Sequence, residues 1–514
     1  MKALPFAEPL PTSPLAAWQQ ALVGATQTSS ERYLTRLARR AFLTLWSYPN
    51  TFTDEGRSKG KGDGKELCDL LVVFGNDILI FSDKKCEFIP HANVNVAWAR
   101  WYRRAVEKSV KQLVGAKAWV MRHSDRIYLD RQCQHRLPLG LPSLEQSRIH
   151  LIAVARGSAE HAVKYWESVA AQLVEDNDQL LGGGPTRSAG SLMIRTEING
   201  IDHRTTPFQI GWPAGKRQMV HVFDEETLDV VLSELDTISD FVSYLRKKEE
   251  LLQREGTDFV IPGEEDLLAM YLSAAISGSA SPGFPTTPPN AAVVLREGAW
   301  DEMKASKHYR NRVKANRPSY NWDTLIEFQT SHILAGTALM LEGPTSTKQQ
   351  EAVLRRMAEE PRATRRELGA ALDRARRSKK KGARYTSTLL VGQGRTRAYV
   401  VMTLARPQEM PYEAYQEHRR YQLQTYCEGC KLMAPHLSEV LGIAMEPYAT
   451  ETISVDFLLL TVRDENLVQE FSQDLRRRLD AEGMWRHDAM KLSHVSLSEF
   501  PAGPPRRGKF WRKS

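Results

Sequence analysis

Residues 66–88, ELCDLLVVFGNDILIFSDKKCEF, constrain the fold more than any other stretch of the chain. Two apolar runs flank a short polar turn at Gly75, Asn76 and Asp77, and their flanks are β-rich, so the stretch predicts a β-hairpin. Charge is confined to the ends of the two runs. Asp69 stands at the start of one, and Asp83, Lys84 and Lys85 close the other. A hairpin that served only as core has no need of carboxylates and amines at those positions.

The surroundings extend the pattern. Upstream, SSERYLTRLARRAFLTLW (29–46) carries Leu34, Leu37, Ala38, Ala41 and Leu45 at helical spacing, with Ser29 or Ser30 as the expected N-cap. The glycine-rich, cationic GRSKGKGDGK (56–65) reads as a loop bearing Arg57, Lys59, Lys61 and Lys65. Downstream, NVAWARWYRRAVEKSVKQLVG (95–115) predicts a helix with Trp98, Trp101, Tyr102, Ala105 and Leu113 on its apolar face. Arg100, Arg104, Lys108 and Lys111 stripe another side. RIYLD (126–130) and RIHLIAVARG (148–157) predict two more strands, so this segment reads helix, strand, strand, helix, strand, strand.

Residues i and i+2 of a strand share a face, so Asp83 and Lys85 point the same way and Asp69 can meet them across the hairpin. Two carboxylates and an ammonium then converge at one end of a sheet. Oxygen ligands suit Mg²⁺, and a cation beside the attacking water suits phosphodiester hydrolysis. A second register, Ser82-Asp83-Lys84, turns Lys84 inward and Asp83 away, because a slip of one residue exchanges the faces. The first register is preferred here because it keeps the second carboxylate. In a regular strand Glu66, three residues before Asp69, falls on the opposite face and is a reserve ligand.

The D-(x)n-D-x-K arrangement on an antiparallel pair, between a capped helix and a basic helix, resembles the PD-(D/E)XK, or restriction-endonuclease-like, nuclease superfamily. The resemblance spans roughly residues 29–160, and Cys68 stands where the motif has proline. It implies an α/β fold with an αβββαβ core and a metal-dependent endonuclease acting on DNA, with RNA as the alternative substrate. It also implies Mg²⁺ or Mn²⁺ on Asp69 and Asp83, a water-positioning Lys85 or Lys84, Glu31 as an additional acidic ligand, and Gln112 facing the site. The basic stripe and the loop lysines Lys59, Lys61 and Lys65 become candidate nucleic-acid contacts. Defence against phage or foreign DNA is an expectation by fold-level analogy.

Structural readings stand beside these. Asp83-Lys84-Lys85 can be a solvated strand end, Asp69 a carboxylate capping a backbone group, and Glu31 a first-turn acid favoured by the helix dipole. Gln112 can be a half-buried amide and the basic stripe a solvated helix face. A catalytically inactive scaffold that binds nucleic acid or protein is therefore the alternative function.

The chain has 514 residues, 42% of them hydrophobic, enough for roughly three domains. The expected division is an N-terminal extension (1–24), the nuclease-like domain (25–180) and a middle α/β region (191–276). A Ser/Gly/Pro connector (277–290), a mostly helical region (291–375), a C-terminal α/β region (376–500) and a basic tail (501–514) follow. In the C-terminal region, 385–391, 397–406 and 453–463 read as strands, and 412–433 and 465–482 as helices. A net charge of +8 is compatible with a polyanionic partner without requiring one. A protein partner or an oligomer stays open.

Cys427 and Cys430 lack the second ligand pair of a zinc site. No phosphate-binding G-x-x-x-x-G-K-[ST], H-E-x-x-H or G-x-S-x-G motif occurs. No apolar stretch suits a signal peptide or a membrane span, and five scattered cysteines fit a reducing setting, so the expected location is cytoplasmic.

Overall fold

The computed structural model describes residues 28–58, 60, 62–176, 191–196, 202–277, 281–287, 290–338, 346–377, 384–447, 454–461, 468–486 and 497–501. The fold is mixed α/β, and the chain divides into two compact units. One comprises 1–313, 327–348 and 498–514; the other comprises 314–326 and 349–497.

The first unit is built on a six-stranded sheet. Helix α1 (Ser29–Phe42) precedes β1 (Ser47–Thr53), β2 (Lys65–Phe74) and β3 (Asp77–Lys85). A long helical stretch follows as α2 (Val94–Tyr102), a π-turn segment (Arg103–Glu107) and α3 (Lys108–Arg122). Then come β4 (Ile127–Tyr128), β5 (Arg148–Arg156), α4 (Ala159–Asp176), β6 (Met193–Arg195), β7 (Gln209–Ile210) and β8 (His221–Phe223). The sheet order is β4-β1-β2-β3-β5-β8. The hairpin of the sequence reading is present, with Leu70 opposite Phe81 and Phe74 opposite Asp77. β5 pairs parallel with β3, and β8 parallel with β5.

Helices cover both sides of this sheet. On one face Leu71, Val73, Ile78, Ile80, Leu151 and Ala153 pack with Trp98, Trp101, Ala105, Leu113 and Val120. Alternation puts Leu70, Phe81 and Val154 on the other face. There Phe81 meets Phe42 of α1 and Phe241, with ring centroids 6.0 and 6.5 Å apart. Phe241 belongs to α6 (Ile238–Leu252), which follows α5 (Glu225–Glu234). The expected middle region therefore does not stand apart: its β8 completes the central sheet. It also supplies β9 (Asp258–Ile261), which with β6, β7 and β10 (Ala292–Val294) forms a small second sheet beside α7 (Glu264–Ile276).

Two details at the start differ from expectation. Thr28, not Ser29 or Ser30, caps α1, in a capping box with Glu31. The helix ends at Phe42, and Leu43 takes a positive φ of 63° that turns the chain into β1.

α8 (Ala299–Ala305) and α9 (Lys307–Asn316) follow. On α9, Arg312 is fully enclosed within the first unit. Its Nη1 donates to Glu234 Oε2 and its Nε to Glu499 Oε1, each at 2.6 Å. Phe500 lies under the same guanidinium, 5.8 Å away.

The second unit contains a four-stranded sheet in chain order: β11 (Tyr385–Val391), β12 (Arg397–Thr403), β13 (Glu439–Met445) and β14 (Val455–Thr461). Its central pair is parallel and its outer pairs antiparallel. Cys427 and Cys430 lie on one helix (Tyr412–Met433), and both thiols are buried in the core beneath this sheet. Burial raises both thiol pKa values, so they act as apolar filler there.

Candidate functional site

The sheet opens around Asp69. On one side, Pro49 pairs with Leu70 and Thr51 with Cys68, while Asn50, opposite Asp69, swings into the left-handed region at φ 49°. Asparagine tolerates that conformation better than most residues. On the other side, the β2/β3 ladder stops at Leu70 and Phe81. The Asp69 carboxylate fills the place of the missing rung: its Oδ2 accepts the Asp83 backbone N–H at 2.6 Å. The same oxygen lies 3.9 Å from Lys84 Nζ, which is about one-third exposed.

The register decides which groups share a face. Leu70 opposite Phe81 puts Asp69 in line with Ser82, and therefore with Lys84. Ser82 Oγ donates to Gln112 Oε1 at 3.2 Å, so Gln112 of α3 reaches the same face. Asp83 and Lys85 take the other face with Val154 and Arg156 of β5. This corrects the preferred register. Asp69, Ser82, Lys84 and Gln112 come together; Asp83 does not join them as a second ligand, and Lys85 is exposed.

Asp83 has a different partner. Its Oδ1 accepts from Arg156 Nε at 2.8 Å, with the carboxylate fully buried. Arg156 also lies over the Tyr33 ring at 5.7 Å, and Tyr33 donates its hydroxyl to Asp229 at 2.5 Å. Burial raises the Asp83 pKa, and Arg156 opposes the rise. Nothing in the β3 sequence points to Arg156, which lies 73 residues away.

Glu66 is the opposite case. A β-bulge interrupts the β1/β2 ladder: Thr51 pairs with Cys68, but Phe52 pairs with Glu66, leaving Leu67 over. The extra residue resets the alternation. Glu66 is then near enough to Asp69 for its carboxylate to disfavour the Asp69 charge. The Asp69 pKa is pushed up to about 7, first by burial and then by Glu66, against the pull of Lys84 and the Asp83 N–H. Glu66 falls on the opposite face only in a regular strand, and the bulge at Leu67 removes that condition.

Glu31 serves α1. Its Oε2 accepts the Thr28 N–H at 3.0 Å and the Asn50 side-chain amide at 3.3 Å. It lies on the Asp83 side of the sheet, where its charge adds to the upward shift of Asp83. Of the basic stripe, Arg100, Lys108 and Lys111 are exposed, whereas Arg104 donates to the Glu87 carbonyl at 2.6 Å. Lys65 pairs with Glu55 at 2.9 Å, and Lys59 and Lys61 lie outside the described residues.

The chemistry open to this cluster follows from its donors. Asp69 and Glu66 are hard oxygen ligands whose negative charges crowd one another, and a divalent cation relieves that crowding. Carboxylate oxygens of Asp69 and Glu66 could together take up a hard divalent cation, whereas Asp83 is held by Arg156 on the other face. A cavity of about 440 Å³, lined by Asp54, Arg57, Tyr128, Gln132, Cys133 and Gln134, opens instead beside edge strand β4 and includes none of these residues.

Among the described residues no helix is long and apolar enough to cross a membrane. No protein-family model matches the chain, and neither the curated proteins nor the solved structures give a significant match to it.

Proposed function

We propose that residues 28–176 carry a metal-dependent phosphodiester hydrolase acting on DNA, centred on Asp69 and Lys84. The observation that carries this reading is the pairing of a buried carboxylate with a partly exposed amine on one face, where the sheet has parted. The order helix, three antiparallel strands, helix, parallel strand supports a restriction-endonuclease-like core.

Asp69 and Glu66 would hold Mg²⁺ or Mn²⁺, which polarises the scissile phosphate when bound. Lys84 orients the attacking water and offsets the negative charge that develops on the phosphoryl oxygens. Gln112 holds Ser82 and so fixes the strand that carries Lys84. Arg100 of α2 and Lys108 and Lys111 of α3 lie on the helices that cover the Asp69 face, where they can meet phosphates. A role against foreign DNA rests on the family resemblance alone.

The test is nicking and linearisation of plasmid by the purified full chain with Mg²⁺ or Mn²⁺, beside Asp69→Asn. Single-stranded DNA and RNA run in parallel identify the substrate. Activity that survives Asp69→Asn refutes the assignment.

One observation favours a second reading, a nuclease-like scaffold without catalysis. Asp83 is held by Arg156 on the far face, and Asp69 Oδ2 is engaged by a backbone N–H. That reading expects metal-independent DNA binding and no cleavage by the parent protein.

A further inference from the structure

The central sheet carries a second polar cluster, on the face opposite Asp69. His150 lies near the start of β5, His221 opens β8, and Glu249 is on α6. The register sets His150 beside Leu79 and His221 beside Ile152, so both imidazoles face the helix layer that contains α6. Both side chains are fully buried, and that of Glu249 is 21% exposed.

Glu249 Oε1 is 3.1 Å from His150 Nδ1 and 3.0 Å from His221 Nε2. One ligand atom from each residue falls within 4.8 Å of the other two. Zinc bonds of about 2.0–2.1 Å in a tetrahedron give ligand–ligand edges of roughly 3.3 Å, close to the two carboxylate–imidazole separations.

The surroundings add a second feature. His150 Nε2 lies 3.2 Å from Asp77 Oδ1, and Asp77 is itself gripped by Arg246 at 2.6 Å. Metal-binding histidines usually have their outer nitrogen held by a carboxylate in this way, which directs the inner lone pair at the ion.

We propose that His150, His221 and Glu249 form a buried site for a zinc-class divalent metal that fastens α6 to β5 and β8. Two imidazoles and one carboxylate favour Zn²⁺ or Co²⁺ over Mg²⁺, unlike the all-oxygen set at Asp69. His150 and His221 share the sheet face of Leu79 and Phe81, whereas Asp69 lies on the opposite face, with β3 between its strand and β5. The site is thus independent of the proposed hydrolytic centre. The competing arrangement is a closed His–Glu–His hydrogen-bonded cluster that takes no ion.

The experiment strips the purified full chain with chelator, titrates it with Co²⁺, and records the visible d–d bands and the Zn²⁺-dependent thermal midpoint. The expected result is a single equivalent with intense low-symmetry bands, displaced by Zn²⁺, and a midpoint that rises with Zn²⁺. Asp69→Asn keeps both signals, which separates this site from the hydrolytic one. His221→Ala loses them. Glu249→Gln, which retains a hydrogen-bonding side chain, weakens binding by about tenfold or more. Absence of a Co²⁺ spectrum in the parent overturns the proposal. So does an unchanged spectrum in His221→Ala, or unchanged affinity in Glu249→Gln.

Discussion

Arg156 Nε lies 2.8 Å from Asp83 Oδ1, with the carboxylate wholly inside the protein. Strand alternation puts Asp83 on the face opposite Asp69, and this bond holds its carboxylate there. Breaking a buried pair by removing one partner costs about 3–5 kcal/mol, because the other charge stays buried alone. Arg156→Met and Asp83→Ala should each lower stability by that order in urea unfolding. Cleavage per folded molecule should change little in Asp83→Asn. A drop as deep as that of Asp69→Asn would return Asp83 to the catalytic set.

Lys84 and Lys85 separate cleanly as a pair of variants. Lys84 stands beside Asp69, whereas Lys85 is exposed on the opposite face. Losing one group that stabilises developing charge typically costs about 10²–10³ in rate. Lys84→Ala should show that loss in plasmid cleavage per folded molecule, and Lys85→Ala should stay within about threefold of the parent, since surface substitutions perturb little.

Glu265 of α7, which belongs to neither proposed ligand set, provides a pH signature. Burial, then the neighbouring Asp224 charge, push its pKa from the ordinary 4.5 to about 8, while Ser191 donates to it at 2.8 Å. The folded state therefore favours the protonated acid. Its stabilising contribution is complete below about 4.5 and is lost as pH rises through about 8. Glu265→Gln should flatten the fall in thermal midpoint across that window and exceed the parent at its alkaline end. A parallel pH profile for the two proteins would contradict the shift.

Each phosphate contact releases counterions, so the slope of log affinity against log salt falls by about 0.9 per contact removed on duplex DNA. Replacing Arg100, Lys108 and Lys111 together by Gln should reduce the slope by roughly 2–3, measured by fluorescence anisotropy at several salt concentrations. An unchanged slope would leave these residues as a solvated helix face.

The β2–β3 hairpin was legible because a polar turn between two apolar runs admits few alternatives. Asp69 was legible as the charge at its edge. The facing of Asp83, Lys84, Lys85 and Glu66 was not, since it depends on one residue of register and on the bulge at Leu67, neither of which alternation reveals. β1 carries no clear strand signal because Pro49 and Asn50 sit inside it, and β8 none because three residues show no periodicity. In the second unit, β11 matches its predicted span, while β13 was overlooked between two stronger patterns. Arg156 and the His150, His221 and Glu249 cluster depend on contacts 28 to 99 residues apart, which local pattern does not encode.

The enclosure of Arg312 has a consequence during synthesis. Its partner Glu499 is 187 residues further along. A nascent chain that has extruded α9 holds a guanidinium with Glu234 on one side and nothing yet made for the other. Closure of that pocket waits until Glu499 has left the ribosome, so the first unit closes only after the intervening residues of the second, 349–497, have been made.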